Sequence, residues 1–378
     1  MQNTWHIDEF PWAVGHICRH WRGAFLSYPP LWTSLSLQSG EFSATALTEI
    51  NRRTATYLER SRQLPLTILV STASSPIKNF PSDTFRLLLS CSNRWKRGDL
   101  VLRNESVLLD LIGCLDNVPI LKSLGIYVYG FEAVKPYNAF VIAPHLTELD
   151  ITHRGHTRRW MSLPWSQLTK LRIEVSSVEF IVQTAQLETI LSQLQNVDEL
   201  RFKIRDDPYF AFSGRQAAIR LPLVRFLEIT LFCPEIFSWF EVPLLEHLCL
   251  DSCIELANVG DICTEELLFL IGGSSCRIRR LTLQDCLDDV ALDIMWALDN
   301  LEELCVKDLP IGIGHLIIKH LADLDLDGVF HSPNLRELQV MCCPGQADKD
   351  FMMAICSLLE ARGPSRHLPA SMSCPSRG

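Results

Sequence analysis

The feature that most restricts this chain is a six-residue unit, L-x-x-L-x-[LIVF], that occurs ten times between Leu121 and Val340. Copies begin at Leu121, Leu146, Leu168, Val197, Val224, Leu245, Ile278, Leu301, Leu321 and Leu335, about 24 residues apart on average. Spaced at i, i+3 and i+5, the three apolar residues read as the inward positions of a short strand, with outward-facing residues between them. One such strand cannot bury its own face. Neighbouring copies must lay their strands side by side and share a continuous core, and the stretch between copies is long enough to carry a returning connection.

Three copies extend the unit to L-x-x-L-x-[LV]-x-x-C, ending at Cys253, Cys286 and Cys343. The period and this last position resemble the cysteine-containing leucine-rich repeats. The resemblance implies an α/β leucine-rich-repeat solenoid, with parallel strands on a concave face, helices on a convex face, and a packing role for those cysteines at the turns. Helical patterns lie between the strands. Ser177 precedes an apolar series from Phe180 to Leu194, Thr264 opens LLFLIGG, and Asp348 begins a helix closed by Gly363 and Pro364. Upstream, Ser43 to Leu58 reads as a helix with Leu47, Ile50, Thr54 and Leu58 on one face. A strand follows from Leu64, a helix from Asp83 to Ser90 and a strand from Gly98. Residues 38–120 are thus expected to be divergent first repeats that cap the solenoid of residues 121–363, and residues 364–378, without apolar period, a disordered tail.

Residues 1–37 differ from the rest. Pro11 suits a first helical turn, and Val14, Ile17, Cys18, Trp21 and Phe25 share one apolar face at helical spacing, until Tyr28, Pro29 and Pro30 end it. The string PWAVGHICRHWRGAFLSYPPLWTSLSL, from Pro11 to Leu37, resembles the second half of an F-box of the kind that precedes divergent leucine-rich repeats in large protein families of mushroom-forming fungi. A looser likeness continues through LLLSCSNRWKRGDLVL, from Leu87.

The resemblance implies a partial helical F-box that docks on the Skp-type adaptor of a cullin-RING ubiquitin ligase while the repeats hold a target protein. Ile17, Cys18 and Trp21 would then be core or adaptor-facing positions, Arg19 and Arg22 their polar flanks, and Leu31 and Trp32 would close the module against the repeats. Only ten residues precede Pro11, fewer than the leucine-proline stretch that opens an F-box needs, so part of the adaptor surface is expected to be missing. The alternative is an interaction scaffold with a degenerate F-box and no ligase role.

Composition narrows the chemistry. With 35 Lys and Arg against 44 Asp and Glu the net charge is -9, the wrong sign for a protein whose main work is neutralising phosphates, so nucleic acid is not expected as the partner. No run reaches the roughly 18 apolar residues of a membrane span and no secretory signal pattern opens the chain, so an intracellular protein, cytoplasmic or nuclear, is expected, with its 14 cysteines as free thiols.

Neither catalytic residues nor cofactors are predicted, for no nucleophile elbow or phosphate-binding glycine loop occurs. Metal ligands are not predicted either. Asp323, Asp325 and Asp327 imitate the start of a calcium loop, but Asn334 stands where its bidentate Glu belongs. The basic run from His153 to Trp160 reads as a solvated loop. The expected working surface is the outward row of the strands, where Arg172, Glu174, Arg201, Lys203, Glu228 and Asp251 are the candidate partner-binding residues.

Overall fold

The computed structural model describes residues 17–73, 80–103, 107, 111, 118–129, 140–154, 162–176, 187–205, 218–230, 234–251, 260–284, 294–295, 298, 300–307, 311–322, 333–341, 353, 358 and 370–372. They belong to two units, Met1–Leu194 and Gln195–Gly378. Each unit is mixed α/β, with helices beside a large parallel sheet whose strands follow one another in chain order.

In the first unit the strands are β1 (Ser34–Gln38), β2 (Leu66–Ser71), β3 (Trp95–Leu102), β4 (Ser123–Tyr129), β5 (Glu148–Arg154) and β6 (Lys170–Ser176). The second unit begins with β7 (Glu199–Arg205) and continues through β8 (Ile219–Arg220), β9 (Phe226–Thr230), β10 (Phe240–Glu241), β11 (His247–Asp251), β12 (Arg280–Gln284), β13 (Glu303–Lys307), β14 (Glu337–Met341) and β15 (Ala370–Met372). There β8 and β10 form a small pair apart from the main sheet.

Nine of the ten L-x-x-L-x-[LIVF] units place their last two apolar residues on a strand, all buried, and their first in the turn just before it, also buried. Their register does not slip: Leu227, Leu248, Leu281, Leu304 and Leu338 are successive partners across β9, β11, β12, β13 and β14. The backbone sets the pitch. The carbonyl of the second residue in one unit accepts the amides of the second and third residues in the next. Asp198 takes Arg225 and Phe226, Arg225 takes Glu246 and His247, Glu246 takes Arg279 and Arg280, and Lys122 takes Thr147 and Glu148. One more signal stands ahead of six of these nine strands. A tight turn precedes each of the six, in which the first residue of the unit donates to a buried apolar residue three positions back, as Leu146 does to Ala143, Val224 to Leu221 and Leu245 to Val242. Pro144, Pro222 and Pro243 sit at the second position of these turns, where a fixed φ is favourable.

The tenth copy is a correction. Leu321 and Ala322 end α5 (Ile311–Ala322), and β13 pairs directly with β14. An i, i+3 leucine pair serves a helix as well as a strand, and in the apolar run before it Ile317, Ile318 and Leu321 bury one helical face. The tail is a second correction, for Ala370–Met372, expected to lack structure, lie beside β14 as β15.

The remaining helices are α1 (Arg19–Ser27), α2 (Ala44–Arg60), α3 (Ser82–Ser90) and α4 (Gly260–Ser274). Ser43 caps α2 by accepting the Ala46 amide at 3.2 Å. At its other end Arg94, almost fully buried, donates to the Leu58 and Leu64 carbonyls and to Ser61 Oγ, satisfying groups that the helix leaves open. Helix α4 starts four residues earlier than Thr264 suggests. The helical series from Ser177 is described from residue 187 and is helical to 191, the helix from Asp348 is described only at Met353 and Leu358, both helical, and the three terminal cysteines of the repeats lie outside the described residues. Among the described residues no helix is long and apolar enough to cross a membrane.

Two buried tryptophans repeat one device. Trp32 donates its indole N–H to the Phe25 carbonyl and Trp95 to the Leu88 carbonyl, each at 3.2 Å and seven residues back. Each ties the last turn of a helix to the strand that follows.

Leu248 is fully buried between Leu227 and Leu281. Leu248→Ala is expected to lower unfolding free energy by about 2 to 5 kcal/mol, and Leu248→Asp by more, measured by urea denaturation. A variant as stable as the parent would contradict the buried register.

Candidate functional site

Helix α1 presents the first candidate surface. Cys18 caps it through Sγ, which accepts the Trp21 amide at 3.5 Å. Within the helix Phe25 alone is buried. Its ring meets Trp32 at 4.5 Å, Trp32 meets the Tyr57 edge at 4.9 Å, and the Arg60 guanidinium lies 4.6 Å from the Trp32 ring. The expected adaptor set therefore divides. Trp32 is core that binds α1 to α2, and Leu31 is half-buried. Ile17 and Trp21 are 65% and 53% exposed, and Cys18 is exposed beside them. The apolar face read from Ile17 to Phe25 is buried only at Phe25, and Val14 lies outside the described residues.

Superposing the two tryptophan devices in sequence sets Trp21, Arg22, Phe25 and Leu26 against Thr84, Phe85, Leu88 and Leu89 of α3. All four α3 residues are buried, and α2 packs on that helix. In α1 the corresponding Trp21 and Leu26 are open. Trp21 and Leu26 thus form an exposed apolar pair.

The outward face of the first unit's sheet holds Asp99, Tyr127, Asp150, Arg172 and Glu174. Gly125 stands between Asp99 and Asp150 on neighbouring strands, and a Cβ there would come within 2.7 Å of Asp99 Oδ1 and 2.9 Å of the Tyr127 ring. The missing side chain lets Tyr127 lean back and donate its hydroxyl to Asp150 at 3.0 Å. Burial, reinforced by the Asp150 charge, raises the Tyr127 pKa, and burial also raises that of Asp150 against the opposing pull of Arg172. Arg172 in turn reaches Glu174 at 3.4 Å.

In the second unit the charges are knitted more tightly. Lys203 Nζ lies 2.7 Å from Glu228 and 2.6 Å from Asp251, and Arg201 reaches Glu199 at 2.7 Å and Glu228 at 3.2 Å. Burial disfavours the Lys203 charge, yet its bonds to Asp251 and Glu228 prevail and hold its pKa above the ordinary value. Cys249, one strand over from Glu228, is buried and its thiol is pushed up to about 12, chiefly by that burial. It is no nucleophile.

These contacts correct the expected partner strip. Glu174, Glu228 and Asp251 are buried, and the side chain of Lys203 is only 13% exposed; Arg172 and Arg201 are the partly open members. Ion pairing explains the change: Arg201 and Lys203 reach Glu228 on the neighbouring strand, where outward residues stand about 5 Å apart, Lys203 also reaches past β9 to Asp251, and Glu174 meets Arg172 two residues away on its own strand. The His153 to Trp160 run, the Asp323 to Asp327 triplet and the Cys342, Cys343 pair carry no described side chains.

Further along the same face lies an open pocket of about 260 Å³ over β11 to β14, which sequence reasoning missed. His247, Arg280, Thr282, Glu303, Cys305, Lys307, Glu337 and Gln339 line it. The signal for it is the register of the strand units, which stacks their third, fifth and seventh residues into polar rows. His247 Nε2 is 3.0 Å from the Thr282 hydroxyl, and its ring is edge-on to Phe226. Among the described residues no group of three or more His, Cys, Asp or Glu is arranged to hold a metal. No protein-family model matches the chain, and no curated protein matches it.

Two outcomes follow from these contacts. Lys203→Met strands two buried carboxylates and is expected to cost on the order of 3 kcal/mol in chemical denaturation, whereas an exposed lysine would cost almost nothing. Burial, then the charges of Arg280, Lys307 and Arg201, holds the His247 pKa below 6.5. The unfolded chain thus takes up a proton there first, so His247 contributes to a loss of stability as pH falls below about 6.5. His247→Gln is expected to flatten the urea midpoint between about pH 7 and pH 5.5 relative to the parent.

Proposed function

We propose that this chain is a non-catalytic recognition subunit, a leucine-rich solenoid that holds a target protein and an F-box-type N-terminal helix that delivers it to the Skp-type adaptor of a cullin-RING ubiquitin ligase. It works by raising the effective concentration of a target lysine near the ligase, in the cytoplasm or nucleus. The reading starts from the resemblance of residues 11–37 and from the in-register strands. The observation that carries it is the exposure of Ile17 and Trp21 on a helix whose opposite side is anchored by Trp32.

A second reading has its own support. Because α1 is tied to its strand by the same tryptophan device as α3, it is also suited to be a plain first helix of the stack. The chain is then a scaffold with no adaptor.

Co-purification with the Skp-type adaptor separates the two. Trp21 is more than half exposed, so the Ile17→Ala, Trp21→Ala double variant is expected to keep the parent's circular dichroism and melting while losing adaptor capture about tenfold or more. Trp32→Ala, by contrast, is expected to melt the α1–α2 junction, at about 3 to 5 kcal/mol. An adaptor that binds neither parent nor variant selects the scaffold reading.

A further inference from the structure

The pocket on the second unit's sheet contains two charges that nothing described answers. Its rows run in register across β11, β12, β13 and β14: His247, Arg280, Glu303, Glu337; then Cys249, Thr282, Cys305, Gln339; then Asp251, Gln284, Lys307. Most of these groups are already engaged. Arg280 pairs with Glu303 at 3.0 Å, His247 with Thr282, and the Gln339 amide donates to Glu337 at 2.6 Å. On the same face Arg201 and Lys203 are doubly paired.

Lys307 differs. It is partly buried, yet among the described residues no carboxylate lies within ion-pair range of it. Glu337 likewise has an amide donor but no described cation. A partly desolvated charge without a counter-charge is held at a free-energy cost that an incoming opposite charge removes. The two stand on neighbouring strands four residues apart along the chain direction, about 13 Å at 3.3 Å per residue, too far to satisfy each other.

We infer that this pocket binds an extended peptide segment of a protein partner, one acidic side chain reaching Lys307 and one basic side chain reaching Glu337. In an extended peptide, residues four apart point the same way and are separated by that same distance, so the matching feature is an Asp or Glu and a Lys or Arg at i and i+4. The pocket charges Arg280, Lys307, Glu303 and Glu337 sum to zero, which suits such a bipolar segment better than a phosphate dianion. The inference rests on the reading of the chain as a target-holding protein and names the class of sequence it holds.

The test uses the full chain and fluorescein-labelled nonapeptides of Ser, Thr and Gly. One carries Asp four residues before Lys, one the reverse order, and two carry Asp or Lys at both positions. Anisotropy titration is expected to show one bipolar peptide binding about tenfold tighter than both like-charged peptides. Lys307→Gln is expected to abolish discrimination against the double-Lys peptide, and Glu337→Gln discrimination against the double-Asp peptide. Both variants should melt with the parent. Equal binding of all four peptides, or no binding, overturns the inference, as does inorganic phosphate displacing the peptide at equal concentration. If a variant fails to fold, the parent's discrimination alone decides. Adaptor capture through α1 is a separate readout, so its failure leaves this result intact and the reverse also holds.

Discussion

Between successive leucine-rich units of the same half of the chain, a single backbone carbonyl accepts two consecutive amides from the next unit and holds their strands at the same offset, and most of what the surface does follows from that offset. Asp198, Arg225, Glu246 and Arg279 play this part in turn in the second unit, and Lys122 and Thr147 in the first. Because the bonds are main-chain, the side chain at that position is unconstrained and varies from acid to base. What is constrained lies inward, where leucine faces leucine across five strands, and outward, where each polar residue meets the same position of its neighbour.

Fixed register turns the outward face into a grid. Opposite charges within reach of one another pair off, Lys203 meeting Glu228 on the next strand and Asp251 on the one after it, which is why both are buried carboxylates on what looks like a solvent face. Recognition on such a grid cannot be read from the number of charges. It depends on which of them the grid leaves over. Gly125 shows the same economy by subtraction, since its vacant side-chain space is filled by the Tyr127 ring.

Much of this architecture was legible. Three apolar residues at fixed spacing, repeated with enough chain between them to return, leave few alternatives to a parallel sheet, and the helix read from Ser43 to Leu58 is found at Ala44–Arg60. The Leu321 copy misled because leucines three apart are common to both kinds of element, and only the uninterrupted apolar stretch before it favours a helix. The turn prolines, such as Pro222 and Pro243, were available and mark five of the nine strand copies, whereas the Leu321 copy has none. Exposure was the least legible quantity. Nothing local to Lys203 announces that two acids from later strands enclose it, and nothing local to Trp21 announces that it is exposed where Thr84 of α3 is buried. Both are set by residues distant in sequence.

The pairing of Trp32 and Trp95 with helix carbonyls bears on how the first unit comes apart. Each indole bonds a helix carbonyl seven residues back, Trp95 from the start of β3 and Trp32 from the turn just before β1, so helix and following strand are expected to open together as one cooperative block. The blocks are otherwise joined by strand ladders and by the packing of α2. Amide hydrogen exchange should therefore resolve the first unit into steps, with the amides of α3 and β3 released in one phase and those of α1 and β1 in another.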